Sequence, residues 1–138
     1  MIPINYWAIL VAAASNIIIG NLWYGPLFGK AWMQMSGIAM NANTDKAKMA
    51  RSIIFMIIGA FLMNFVLAND IIFSNTFLNI GGASGGMQSA LWLWLGFVAP
   101  VSIGIVIWEN KPWKLWFLNA GYYLFVLLVA GAIIGTWR

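Results

Sequence analysis

The chain contains no cysteine and no histidine, and Asp, Glu, Lys and Arg make up only 7% of its 138 residues. Without thiolates or imidazoles it cannot build zinc sites of the usual type, histidine-ligated haem, thiolate iron–sulfur clusters, disulfides, or a Ser-His or Cys-His catalytic pair. A soluble domain carries about a quarter charged residues, so this chain has too few to cover a surface facing water. What is abundant is apolar: 63% of the residues are hydrophobic and nine are tryptophan. The expected fold is therefore an all-α polytopic membrane protein, a single domain over residues 1–138. Four transmembrane helices of about twenty residues each would form an antiparallel bundle, leaving no room for a separate soluble domain.

The first apolar stretch, residues 7–23, ends at Tyr24-Gly25-Pro26, because proline cannot continue a helix and biases its predecessor away from helical angles. The second, residues 52–73, is entered through Thr44-Asp45, which reads as an N-cap ahead of a helix that starts in water. The third covers residues 87–108 and the fourth residues 113–137. The short Glu109-Asn110-Lys111-Pro112 turn between them makes these two antiparallel neighbours. A cleaved signal peptide is not expected, since the N-terminus lacks a basic region and the first stretch leads into a turn of large residues.

Six of the seven cations, Lys30, Lys46, Lys48, Arg51, Lys111 and Lys114, fall in the connections between spans one and two and between spans three and four. Only Arg138 lies opposite. The Lys/Arg rule places those connections in the cytoplasm and both termini outside. Tryptophans are read as interfacial anchors, Trp23, Trp32, Trp108, Trp113 and Trp116 at the cytoplasmic side and Trp7, Trp92, Trp94 and Trp137 at the outer side. The net charge of +4 is accounted for by orientation and calls for no nucleic-acid partner. Between Pro26 and Asn43 the mixed apolar and polar residues predict a brief interfacial helix around residues 29–35, with Trp32 inward and Lys30 toward the headgroups; a binding-site lid is the sharper alternative. The outer loop, residues 74–88, holds Gly81-Gly82 and Gly85-Gly86 and reads as flexible.

Helices in lipid associate through close packing at small residues and through polar side chains that bond across helices. Span one carries Ala12, Asn16 and Gly20, span two Ala60, Asn64 and Ala68, span three Gly96, Pro100 and Gly104, and span four Gly131 and Gly135. These stripes are expected to face the bundle axis or a subunit partner, with Asn16 and Asn64 as structural glue. Pro100 should bend span three by freeing the carbonyl of Gly96, which Ser102 could satisfy. Asp70 and Glu109, each expected at the C-terminal end of its span, oppose the helix dipole there and should seek cations. Glu109 has Lys111, Lys114 and Lys30 on its own side. Asp70 has only Arg138, unless it is hydrated or forms an outer cation site with Asn69 and Gln88.

Leu22-Trp23-Tyr24-Gly25-Pro26 followed by Gly29-Lys30-Ala31-Trp32-Met33, then Trp94-Leu95-Gly96-Phe97-Val98-Ala99-Pro100, Glu109, and Asn119-Ala120-Gly121-Tyr122-Tyr123-Leu124 resemble, in this order, a bacterial family of small four-span membrane proteins known as domain-of-unknown-function 1761. That resemblance singles out Trp23, Tyr24, Pro26, Lys30 and Trp32 as its most specific motif. Here Gly25 stands where the family typically has Ser, Tyr123 where it often has His, and Asn16 and Asn21 at positions more often apolar. The resemblance implies fold and topology but no activity.

Two functions compete on these residues. The first is a structural or interaction protein, a homo-oligomer or the accessory subunit of a membrane assembly, supported by the abundance of small-residue stripes. The second is an oligomeric transporter or channel for a small solute, ion or lipid, which a cavity reaching Asn16, Asn64 and Asn119 would favour. An enzyme ranks third, because no two carboxylates share a face. No cofactor or metal is expected, and the partners are the lipid bilayer and either a second copy or another membrane protein; a bound lipid, quinone or pigment against Trp23, Tyr122 or Tyr123 is the one admitted companion.

Overall fold

A computed structural model describes residues 3–38 and 45–137. Asn5 caps the first helix, α1 (Tyr6–Leu22), its side chain accepting from the amides of Trp7 and Ala8. At Trp23–Leu27 the helix widens into a π turn that contains Pro26, and Gly25 leaves helical angles altogether. A short helix, α2 (Gly29–Ser36), follows and stops at Gly37, whose φ of 74° is open to glycine at little cost. Asp45 caps α3 (Lys46–Leu78), 33 residues in length. The third span is segmented: α4 (Gly82–Leu93), a π turn at Trp94–Val98, then α5 (Ala99–Ser102) and α6 (Gly104–Ile107). A turn with left-handed Asn110 leads into α7 (Trp113–Thr136). Four helical stretches, Tyr6–Leu27, Lys46–Leu78, Gly82–Ile107 and Trp113–Thr136, are long and apolar enough to cross a membrane. The chain is an all-α four-span bundle.

Two of the helices outrun their expected bounds. At about 1.5 Å per residue α3 is about 50 Å long, well beyond a hydrocarbon core of about 30 Å. The region expected as a flexible outer loop is instead nearly all helix, with only residues 79–81 between α3 and α4. Its glycines are there for contact. Gly82 and Gly86 face Gly131 and Gly135 so closely that a Cβ built on Gly86 would strike the Gly131 carbonyl, and one on Gly135 the Gly82 carbonyl. Two small-xxx-small stripes thus meet backbone to backbone, the arrangement that gives helices in lipid their dispersion contacts.

The core lies at one end. Ala8, Ile9, Ala12, Leu67, Ala68, Ile71, Ala90, Leu127, Ala130 and Ile134 form one buried cluster, drawn from the start of α1, the second half of α3, α4 and the second half of α7. This end is far from Lys46, Lys48, Lys111 and Lys114. Toward the basic end the bundle loosens, and every described residue of α3 from 46 to 59 is exposed. The α7 helix packs against α1, α3 and α4, so it is the centre of the bundle.

The stripe expected on span three does not face the axis of this chain. Gly96 and Pro100 are exposed, and nothing lies within 4 Å of a Cβ placed on Gly96. Helical register explains the error: the face that packs is fixed by Gly82, Gly86 and Ala90 at the tight end, and the π turn at Trp94–Val98 inserts an extra residue before Pro100. At the end of that turn the Ala99 amide donates to the Trp94 carbonyl, five residues back. Ser102 therefore does not serve Gly96; its hydroxyl donates to the Ala99 carbonyl at 3.2 Å and accepts from Trp116 Nε1 at 3.0 Å. Trp94 is likewise no outer anchor. Because α4 begins at Gly82, Trp94 falls in mid-span and donates its Nε1–H to the Ala120 carbonyl at 2.8 Å.

Candidate functional site

Between α1, α3 and α7, on the basic side of the core, opens a cavity of about 540 Å³. Its α3 wall begins within the stretch of that helix that is exposed, residues 46–59. Asn16, Ile17, Gly20 and Asn21 form its α1 wall, Met56, Gly59, Ala60 and Met63 its α3 wall, and Tyr24, Tyr122 and Tyr123 complete it. Met56 is 54% exposed and Gly59 has open space around it, so the cavity gives onto the surroundings of the helix, which in a membrane are lipid. Its volume falls within the range of small-molecule sites, about 300–1,000 Å³.

The cavity holds one unusual side chain. Asn16 is 3% exposed, and neither its Nδ2 nor its Oδ1 has a hydrogen-bond partner among the described residues. Leaving a buried polar group unpaired costs about 1–3 kcal/mol, and here a donor and an acceptor are both unpaired on one amide. Trp23 Nε1 is also buried without a partner among the described residues, whereas the tyrosines beside Asn16 are engaged. Tyr122 donates its hydroxyl to the backbone carbonyl of Asn16 at 3.2 Å, and a Cβ on Gly20 would come within 2.8 Å of that hydroxyl oxygen, so glycine is what lets the ring approach. Tyr24 donates to Asn119 Oδ1 at 2.8 Å. Asn64 donates to the Ala60 carbonyl of its own helix at 2.8 Å, leaving its Oδ1 unpaired and buried.

Aromatic rings fasten the floor. The Tyr24 and Tyr122 centroids are 5.1 Å apart in an edge arrangement, and Trp32 meets Tyr24 edge-on at 5.8 Å. The motif of Trp23, Tyr24, Pro26, Lys30 and Trp32 thus folds the chain back under the cavity. Pro26 sits in the π turn, Trp23 tilts over Phe28 at 4.7 Å, and a Cβ on Gly29 would lie 2.6 Å from the Tyr24 carbonyl. Lys30 is exposed and Trp32 half-buried.

The charged connection between spans three and four is tied down by a hydrogen bond to backbone and not by the expected pairing with Glu109. Lys111 Nζ donates to the Ser36 carbonyl at 2.8 Å, binding the last turn of α2, where free carbonyls and the helix dipole attract a cation. Among the described residues neither Glu109 nor Lys114 has an ion-pair partner. Asp70 lies in the interior of α3, ahead of the C-cap at Asn79, so the dipole argument does not apply to it. Its expected partner Arg138 lies outside the described residues. Asn69 is used within its own helix, donating to the Phe65 carbonyl at 2.8 Å. No three His, Cys, Asp or Glu side chains come together among the described residues.

Of the polar positions singled out in the sequence, Asn16 and Gly20 line the cavity, Asn119 backs it through Tyr24, and Asn64 sits one turn beyond Ala60. The remaining small residues, Gly131 and Gly135, belong to the tight end. Ala60, on the small-residue stripe of span two, lines the cavity as well, whereas Met56, Gly59 and Met63 carried no signal, since nothing in an apolar run marks such a wall. The Gly82 and Gly86 contact had a signal, their spacing of four, hidden by the reading of that segment as a loop. The Trp-Tyr-Gly-Pro turn, the two tyrosines and Asn119 form one structural unit, and a family model matches residues 7–135. The chain belongs to the DUF1761 family, described as proteins of unknown function. The match spans all four helices, so the DUF1761 unit is the whole bundle. No curated protein and no solved structure matches the chain.

Proposed function

We propose that this DUF1761 protein is a membrane-embedded binding protein that takes a small uncharged molecule from the bilayer into the cavity beside Asn16, as a carrier or a sensor does, without chemistry of its own. The observation that carries the reading is Asn16, a buried amide with both hydrogen-bonding atoms unpaired in a cavity of ligand size. Buried polar groups in folded proteins are almost always paired, and a ligand that hydrogen-bonds the Asn16 amide would restore that pairing. Read with the Lys/Arg rule, the site lies in the cytoplasmic leaflet of a bacterial inner membrane, with both termini on the far side.

A second reading, self-association or service as an accessory subunit, has its own support. Residues 46–59 are exposed on every face and Gly96 and Pro100 point outward, leaving two surfaces that a further helix could cover. Native mass spectrometry of the chain gently extracted from its own membrane addresses both readings. Binding predicts a retained small-molecule mass in the wild type that is absent from Ala60→Phe, which fills the cavity from α3. A chain that carries no small molecule and flies only as dimers or with another protein would favour the second reading.

A further inference from the structure

The geometry points to an uncharged single-chain lipid whose head carries a hydrogen-bond donor beside an acceptor, such as a long-chain primary amide or a monoacylglycerol, as the occupant of this site. The inference rests on the binding reading above and goes on to specify its ligand. Two observations beyond the cavity itself decide the class.

The first concerns the head. Asn16 offers an unpaired amide nitrogen that donates, Nδ2, and an unpaired oxygen that accepts, Oδ1, side by side. The complement of such a pair is a group that accepts and donates across a similar distance, as a carboxamide or a hydroxyl next to an ester carbonyl does. No Lys, Arg, Asp or Glu is among the residues lining the cavity. An ionised head would lose its hydration there with no countercharge to replace it, a penalty that excludes carboxylates, phosphates and ammonium groups. Tyr122, already donating to the Asn16 carbonyl, keeps its hydroxyl oxygen free to accept a second proton from the head.

The second concerns the tail. A further hollow of about 420 Å³ lies between α1 and α3, lined by Leu10, Ala13, Ile17, Ile57, Phe61 and Leu62 among others, all apolar. Ile17 lines both hollows. For a molecule with its head at Asn16, an apolar chain laid across Ile17 would reach this second hollow, whose lining is apolar throughout.

Photolabelling of the full chain in lipid nanodiscs tests this. The probe is an oleamide analogue with a diazirine on its chain and a terminal alkyne for detection. Labelling is expected on the peptides containing Ile17 and Phe61. Unlabelled oleamide and monoolein should compete roughly tenfold better than ionised oleate, oleylammonium or hexadecane, since one buried hydrogen bond is worth about that factor. Because the competition series uses only wild-type protein, it does not depend on a variant folding. In a second arm, Asn16→Leu should abolish the preference for amide over alkane while still admitting hexadecane. Labelling of the cavity that hexadecane and oleate suppress as well as oleamide would overturn the head-group assignment and leave the binding reading standing. Absence of any labelled cavity peptide with every probe would overturn both.

Discussion

At the scale of single residues, the least comfortable group in the molecule is the most informative. The Asn16 side chain is buried with no partner among the described residues, so its replacement by an apolar residue of similar volume removes a desolvation cost. Asn16→Leu is expected to raise the stability of the ligand-free protein by about 1 kcal/mol, measured by reversible unfolding in mixed micelles, while it weakens binding. A residue that lowers stability and serves a site is where local rules are expected to fail. The glycines divide in the opposite sense. Gly86→Leu and Gly131→Leu must push two backbones apart and should cost about 1–3 kcal/mol or more in the same assay. Gly59→Ala and Gly96→Ala, with nothing within 4 Å of the added carbon, should cost nothing measurable.

At the scale of elements, the two π turns do what the proline signals in the sequence only partly conveyed. Tyr24-Gly25-Pro26 and Pro100 both marked a break, but neither showed that the helix would widen first, at Trp23–Leu27 and at Trp94–Val98. The first turn puts the Tyr24 hydroxyl on Asn119 of α7, a contact 95 positions apart in the chain and so invisible to local reasoning. Tyr24→Phe should lose about 0.6–2 kcal/mol and loosen α2 from the bundle, read as a greater mobility of a spin label at Met33. The existence and order of the four spans were legible because apolar runs bounded by Gly, Pro and charged turns follow from solvation alone. The packing faces were legible where a polar residue shared a stripe with small ones, as Asn16 does with Ala12 and Gly20. They were illegible where glycines looked like loop material, as at Gly82 and Gly86. Lys111 shows the same limit for charge: its position in a turn was plain, but its choice of the Ser36 carbonyl over Glu109 depends on where α2 ends.

At the scale of the molecule, the chain is a bundle clasped at one end and open at the other. Small residues and the apolar cluster close the end away from the lysines, and toward the basic end α3 is exposed over residues 46–59. A label on the Cys-free chain can report this without background. A nitroxide at Met56 should tumble as a lipid-facing group does, and one at Ala68 should be immobilised by α1 and α7. The cavity is the consequence of this asymmetry, and its candidate ligand is what gives the asymmetry a use. The most direct measurement is a crystal structure of the full chain in a lipid phase grown with a bromine-tagged fatty amide, located by anomalous scattering. The account predicts bromine in the apolar hollow beside Ile17 and Phe61 and the amide head paired with Asn16. Bromine found only on the outer surface, with α3 closed onto α1 and the Asn16 amide bonded within the chain, would contradict it.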